Sequence, residues 1–198
     1  MGLISRKSGA TFEKQIEETF LPYANAGIAK LNMMPVPMAP SGIKHPTQGV
    51  PLYRPKGKAP FDVYGWLIKF GTFVGAELKT TTERKNTLPI CFPVLEGADF
   101  VYKSKGGLLY HQLDCLNSVA ASNGTARLVW CNAGEVGVLK EQEIMDLYRT
   151  AHETWQAELR GLDTDRATKS VRWERFQNAP YRTIGGSVIP DWLDEGGR

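Results

Sequence analysis

Apolar positions recur at helical spacing near the start of the chain, where Phe12, Ile16, Phe20 and Tyr23 share one face and Ser8 or Thr11 stands where a cap belongs. Pro22 predicts a kink or an end to that helix, and Gly27 a stop. Ile28 to Met34 then reads as a short strand. The pattern breaks from Met34 to Pro60: eight of the twelve prolines lie between Pro22 and Pro60, with Gly42, Gly49 and Gly57 among them. A plain linker here would leave roughly 33 residues before it, too few to fold alone. Residues 34–60 therefore read as a long loop projecting from one domain.

Period-two patterning follows. Phe61 to Leu67 and Thr72 to Lys79 flank Lys69-Phe70-Gly71, which predicts an antiparallel hairpin. Leu109, Leu113, Leu116 and Ala120 mark a helix ended by Asn123-Gly124. Ala126 to Cys131 and Val136 to Leu139 are two more strands, and Ile144, Leu147, Tyr148, Ala151 and Trp155 trace a further amphipathic helix. After Gly161 the pattern fades into a charged tail with isolated Trp173, Phe176, Tyr181 and Trp192. The expected organisation is one α/β domain over residues 1–160, a mixed central sheet flanked by helices, with a C-terminal extension over 161–198.

Composition narrows the function classes. No apolar run among the 198 residues approaches the ~20 needed to span a bilayer, and Met1 to Lys7 turns charged too early for a signal peptide. Cys91, Cys115 and Cys131 lack Cys-x-x-Cys spacing, so they predict neither a disulfide framework nor a zinc site. They fit a reducing, cytoplasmic setting. Neither Gly-x-Gly-x-x-Gly nor a Walker-type Gly-Lys-Ser/Thr occurs, so no nucleotide cofactor is expected. Net charge is only +3, but its distribution is uneven: from Thr19 to Phe61 there is no Asp or Glu, while Lys30, Lys44, Arg54, Lys56 and Lys58 fall inside. A basic stretch without acids suits a polyanionic partner, although a solvated loop would look the same.

The sharpest chemical signal is Asp62 followed by Glu77-Leu78-Lys79. On a strand, Glu77 and Lys79 point to one face and Leu78 to the other. A neighbouring strand can bring the Asp62 carboxylate to the same place. Two hard oxygen ligands of this kind suit Mg²⁺, leaving positions for water and a phosphate oxygen. Lys79 beside them can polarise an attacking water and offset developing charge. Taken alone, Glu-x-Lys on a strand is commonly a surface ion pair. Here Val74-Gly75-Ala76 reads as buried strand, where a charge without a purpose is costly.

Asp62 with Glu77-x-Lys79 resembles the core of the PD-(D/E)XK nuclease superfamily, and within it the RecU-type Holliday junction resolvases. The resemblance runs in order along residues 5–140. It takes in Gly9-Ala10-Thr11-Phe12-Glu13, Gly27-Ile28-Ala29, Pro35-Val36-Pro37, Asp62, Gly65, and Gly75-Ala76-Glu77-Leu78-Lys79-Thr80. Leu88-Pro89-Ile90, His111-Gln112 and the Ala126 to Trp130 strand complete it. It implies a restriction-endonuclease-like core and Mg²⁺-dependent endonuclease activity, with Mn²⁺ as a substitute metal. The implied substrate is the four-way DNA junction, met in recombination or phage DNA processing, and the implied assembly is a homodimer. Asp62, Glu77 and Glu13 would hold the metal, Lys79 would be the catalytic lysine, and Gln112 would face the site. For Glu13 and Gln112 the residues alone equally allow a helix-dipole acid and a solvent-exposed helix glutamine. Lys44, Arg54, Lys56, Lys58 and Thr80 would contact DNA; Thr81 beside Thr80 could bond a scissile-strand phosphate too, although both threonines also read simply as β-formers. Two stretches depart from the family's pattern: residues 34–60 look shorter and richer in proline than its stalk, and residues 83–107 are expanded. The alternative expectation is a phage or mobile-element nuclease of the same core, acting on other branched or linear duplex DNA.

Overall fold

The computed structural model describes residues 9–35, 38–44, 51–55, 59–96, 99–103 and 106–194. Ser8, Lys56 and Lys58 lie outside them. Its centre is a six-stranded sheet in the order β1 (Ala29–Met33), β4 (Val63–Leu67), β5 (Thr72–Thr81), β10 (Thr125–Asn132), β11 (Glu135–Leu139) and β13 (Gln177–Asn178). All neighbours pair antiparallel except β5 and β10, which run parallel. The chain passes between those two through α3 (Tyr110–Ala121), the kind of crossover that a parallel pair requires. The architecture is α/β, a mixed sheet flanked by helices.

Helices α1 (Gly9–Glu17) and α2 (Phe20–Asn25) lie on one face of the sheet. There Phe12, Ile16 and Tyr23 pack against Val63, Ala76, Leu78 and Val129. On the other face, α3 and α4 (Glu141–Leu159) bury Leu113, Leu116, Ile144 and Leu147 against Leu128 and Trp130. Strand β10 is covered on both sides and buried along its whole length, which explains its continuous apolar character.

The first helix is two helices, not one. The break falls at Glu18 and Thr19, and Pro22 sits in the first turn of α2, where its missing N–H costs nothing. Gly27 ends the segment in the left-handed region at φ 68°, and Asn123 does the same after α3 at φ 58°. Within residues 34–60, β2 (Met38–Lys44) and β3 (Pro51–Pro55) form a separate antiparallel ribbon. Prolines are tolerated there because each strand of a two-stranded ribbon keeps one unpaired edge.

Short strands frame the α3–α4 side. β6 (Thr87–Cys91) lies between β9 (Leu108–Leu109) and β12 (Ser170–Arg172), while β7 (Val94–Glu96) pairs with β8 (Asp99–Val101). Residues beyond Gly161 are not a detached tail. β12 and β13 join existing sheets, and β14 (Tyr181–Ile184) with β15 (Ser187–Pro190) leads to Trp192 and Leu193, both fully buried against α1 and α2. Trp192 Nε1 donates to Thr19 Oγ1 at 2.9 Å, at the break between the helices, and Tyr23 Oη donates to Asp191 Oδ1 at 3.1 Å. The Leu193 carbonyl accepts from the buried Arg127 guanidinium at 2.9 Å. Isolated aromatics without periodicity hid this packing from the sequence. Among the described residues, no helix is long and apolar enough to cross a membrane.

Candidate active site

Asp62 immediately precedes β4 and is fixed by its own backbone. Its N–H donates to the Ala76 carbonyl at 3.0 Å, and its carbonyl accepts from the Met34 N–H at 2.7 Å. Its side chain then accepts the Leu78 N–H on Oδ2 at 2.8 Å. These bonds hold the carboxylate where β1, β4 and β5 meet, against the middle of β5. Gly65 explains why the strands come so close: a Cβ there would lie 2.0 Å from the Lys30 carbonyl oxygen.

Glu77 and Lys79 share the β5 face toward α3, as the strand pleat requires, while Leu78 enters the opposite core. Glu77 is 1 % exposed. Lys79 Nζ stands 2.7 Å from Glu77 Oε1 in an ion pair, but off the hydrogen-bonding direction, so neither Glu77 oxygen receives a well-directed hydrogen bond. Burial pushes the Glu77 carboxyl up to about 8; Lys79 pulls it down, and Asp62, close enough to share a proton with it, pushes it up again. A buried carboxylate beside a second carboxylate favours a cation or a proton between them.

Gln112 lies in the first turn of α3. Its Oε1 accepts from Lys79 Nζ at 3.1 Å and from the Leu109 N–H at 3.0 Å. The same oxygen therefore caps the helix and orients the lysine. Glu13 is on α1, largely exposed. Partial desolvation raises its carboxyl first and the Asp62 charge next, while Lys79 lowers it. Glu13 is coupled to Asp62 and Lys79 through charge. The structure thus brings together Asp62, Glu77, Lys79 and Gln112 from the start of β4, from β5 and from α3, with the Glu13 carboxyl coupled to them through charge.

Other expected contacts lie elsewhere. Thr80 faces the opposite layer, in register with Cys131 on β10. The pleat puts Thr81 on the Glu77 side instead; its hydroxyl donates to Asn132 Oδ1 at 2.9 Å and accepts from Trp130 Nε1 at 3.2 Å. Asn132, buried at the end of β10, also holds both backbone groups of Lys85, at 2.8 and 2.7 Å. It thereby fixes the turn that leaves β5. Sequence reading missed this clamp, for which a polar residue closing an apolar strand was the available signal. Lys44 closes β2 and Arg54 lies in β3. His111 packs on Tyr102, its N–H donating to the tyrosine hydroxyl at 3.0 Å.

Among the described residues, no group of three or more His, Cys, Asp or Glu side chains forms a ready-made metal cage. Mg²⁺ does not require one. It keeps several waters and commonly takes one or two protein carboxylates. The hard oxygens of Asp62 and Glu77, one of them buried without a directed donor, fit that donor set. No protein-family model matches the sequence, and no curated protein matches it either.

Proposed function

We propose that the chain is a Mg²⁺-dependent endodeoxyribonuclease of the PD-(D/E)XK type, acting on four-way DNA junctions as a homodimer. One observation carries the reading: Asp62, Glu77 and Lys79 converge from the start of β4 and the middle of β5, with Lys79 aimed by Gln112. A surface ion pair would need none of this. Burial of Glu77 does not benefit stability, since a desolvated carboxylate is costly.

In phosphodiester hydrolysis, a water oxygen attacks phosphorus and the opposite P–O bond breaks. The metal, when bound, lowers the pKa of water and neutralises charge on the phosphate. Asp62 and Glu77 would hold it, and Glu13 would reach it directly or through water. Lys79 orients the attacking water by donating a hydrogen bond and offsets charge on the developing phosphorane oxygens. Gln112, with its oxygen tied to the α3 N-terminus, keeps the ammonium pointed at the reacting centre. Lys44, Arg54, Lys56 and Lys58 would track backbone phosphates. Symmetric incision of a junction requires two sites related by a two-fold axis, hence the homodimer.

The decisive experiment offers a synthetic four-way junction, the matched linear duplex and a single strand to the protein in Mg²⁺, Mn²⁺ and EDTA. Paired symmetric nicks in the junction, lost in EDTA, are the expected result. Cleavage of the linear duplex alone would reassign the substrate to other duplex DNA. Absence of metal-dependent cleavage on all three would overturn the nuclease reading.

A further inference from the structure

On the α3 side of the sheet, β1 and β4 present a face that neither α3 nor α4 covers. Lys30 and Asn32 are exposed on it, Tyr64 is half-buried, and Trp66 is 48 % exposed, more than any other tryptophan among the described residues. Lys30, Trp66 and Phe73 sit in one cross-strand row. The rings touch in sequence, with centroids 6.4 Å apart for Tyr64–Trp66, 6.0 Å for Trp66–Phe73 and 5.9 Å for Phe73–Phe61. Phe61 is the residue before Asp62. Phe73 shares the Glu77 face of β5 four residues away, about 13 Å along the strand. The row of rings therefore leads into the carboxylate site. Between it and α3 lies an open cavity of about 580 Å³, walled by Phe61, Phe70, Phe73 and Val119.

Charge identifies the occupant. Between Thr19 and Ala76, Asp62 is the only acid. Lys30 stands in the aromatic row, and Lys69 Nζ lies 5.1 Å from the Phe70 ring centroid. Exposed aromatics interleaved with lysines are what single-stranded nucleic acid requires: rings to stack bases and cations for the backbone.

We propose that this face is a stacking platform for unpaired nucleotides, so that bases opened at the branch point of the DNA cut at the Asp62–Glu77 site stack on it beside the scissile phosphate. The proposal rests on the nuclease reading for its substrate, but its binding test is independent of cleavage. The probe is a fluorescein-labelled oligo(dT) 20-mer, titrated in EDTA by anisotropy against wild type, Trp66→Ala, Trp66→Leu and Trp66→Phe, with a matched duplex as control.

Loss of one stacking partner should weaken oligo(dT) binding about 5- to 100-fold in the Ala and Leu variants. Trp66→Phe should restore most of it, and duplex affinity should stay within about twofold. Because Leu keeps the apolar bulk, a loss rescued only by a ring separates stacking from a folding defect. Equal oligo(dT) affinity in all four proteins, or no binding by wild type, overturns the platform. So does a wild-type dimer that becomes monomeric in Trp66→Ala by light scattering, since the face would then join two copies. Metal-dependent cleavage by wild type, measured alongside, keeps the outcomes apart. Cleavage with no Trp66 effect sinks the platform alone, whereas Trp66-dependent binding without cleavage sinks the nuclease reading alone.

Discussion

Replacing Glu77 with Gln should make the metal-free protein more stable, and the gain should depend on pH. The Glu77 carboxyl is raised from 4.5 to about 8, chiefly by burial, and that net shift already includes the opposing pull of Lys79. Between those values the folded protein keeps a proton that the unfolded chain has lost. The unfolded state binds fewer protons in this window, so stability falls as pH rises from about 4.5 to 8 and levels off above. At pH 7 the loss amounts to about 3 kcal/mol relative to pH 4. Glutamine does not titrate and escapes it. Lys79 is not stranded by the change, since it keeps Gln112 Oε1 at 3.1 Å. For a chain this long, about 3 kcal/mol corresponds to ~6–12 °C in Tm. Thermal unfolding in EDTA should thus show Glu77→Gln melting well above wild type at pH 7 and close to it at pH 4. Excess Mg²⁺ should raise the wild-type Tm and leave the variant unmoved, because only the carboxylate form recruits the ion. A variant no more stable at pH 7 than wild type, or a gap indifferent to pH, would refute the claim that a desolvated carboxylate is held here at a cost to the fold.

Asp62→Asn should reduce metal-dependent cleavage by more than about 10³-fold while binding of uncleaved DNA persists, measured as nicking rate beside anisotropy. Gln112→Ala should cost about 1 kcal/mol through loss of the α3 cap and also slow nicking, whereas Gln112→Glu should restore the cap; urea melts and nicking rates distinguish the two roles. Converting Lys44, Arg54, Lys56 and Lys58 to Ala should weaken junction binding more than duplex binding and flatten its salt dependence by up to about 0.9 per lost phosphate contact, read from a salt titration on both DNAs. Trp192→Ala should cost roughly 3–5 kcal/mol by urea denaturation, comparable to emptying any large core site.

The central hairpin, the α3 and α4 helices and the β10–β11 pair were legible because each imposes one clean period on its side chains. The Asp62, Glu77 and Lys79 set was legible for a related reason: strand pleat alone dictates which residues can meet across adjacent strands. The same parity separates Thr80, which lies in register with Cys131 on the α1 side, from Thr81 on the Glu77 face. The packing of residues 170–193 was not legible. Its contacts are single aromatics on short strands: Trp173 and Phe176 pack on Trp130, while Asp191 and Trp192 find partners more than 160 positions away. The split between α1 and α2 was only half hidden: Thr19 donates its hydroxyl to the Ile16 carbonyl at 2.6 Å, a local bond, but that hydroxyl also accepts from Trp192 Nε1, a partner 173 positions away.

That distant bond sets an order of events during synthesis. Strands β4 and β5, with Asp62, Glu77 and Lys79, leave the ribosome early and pair locally. Helix α1, which carries Glu13, lies against α2, whose footing is completed by Asp191, Trp192 and Leu193. At ordinary elongation rates those residues follow Glu13 by roughly 10–35 s. Throughout that interval the core beneath α1 and α2 lacks two of its fully buried residues, Trp192 and Leu193. The helix that carries Glu13 is therefore fully seated only after translation has passed Leu193.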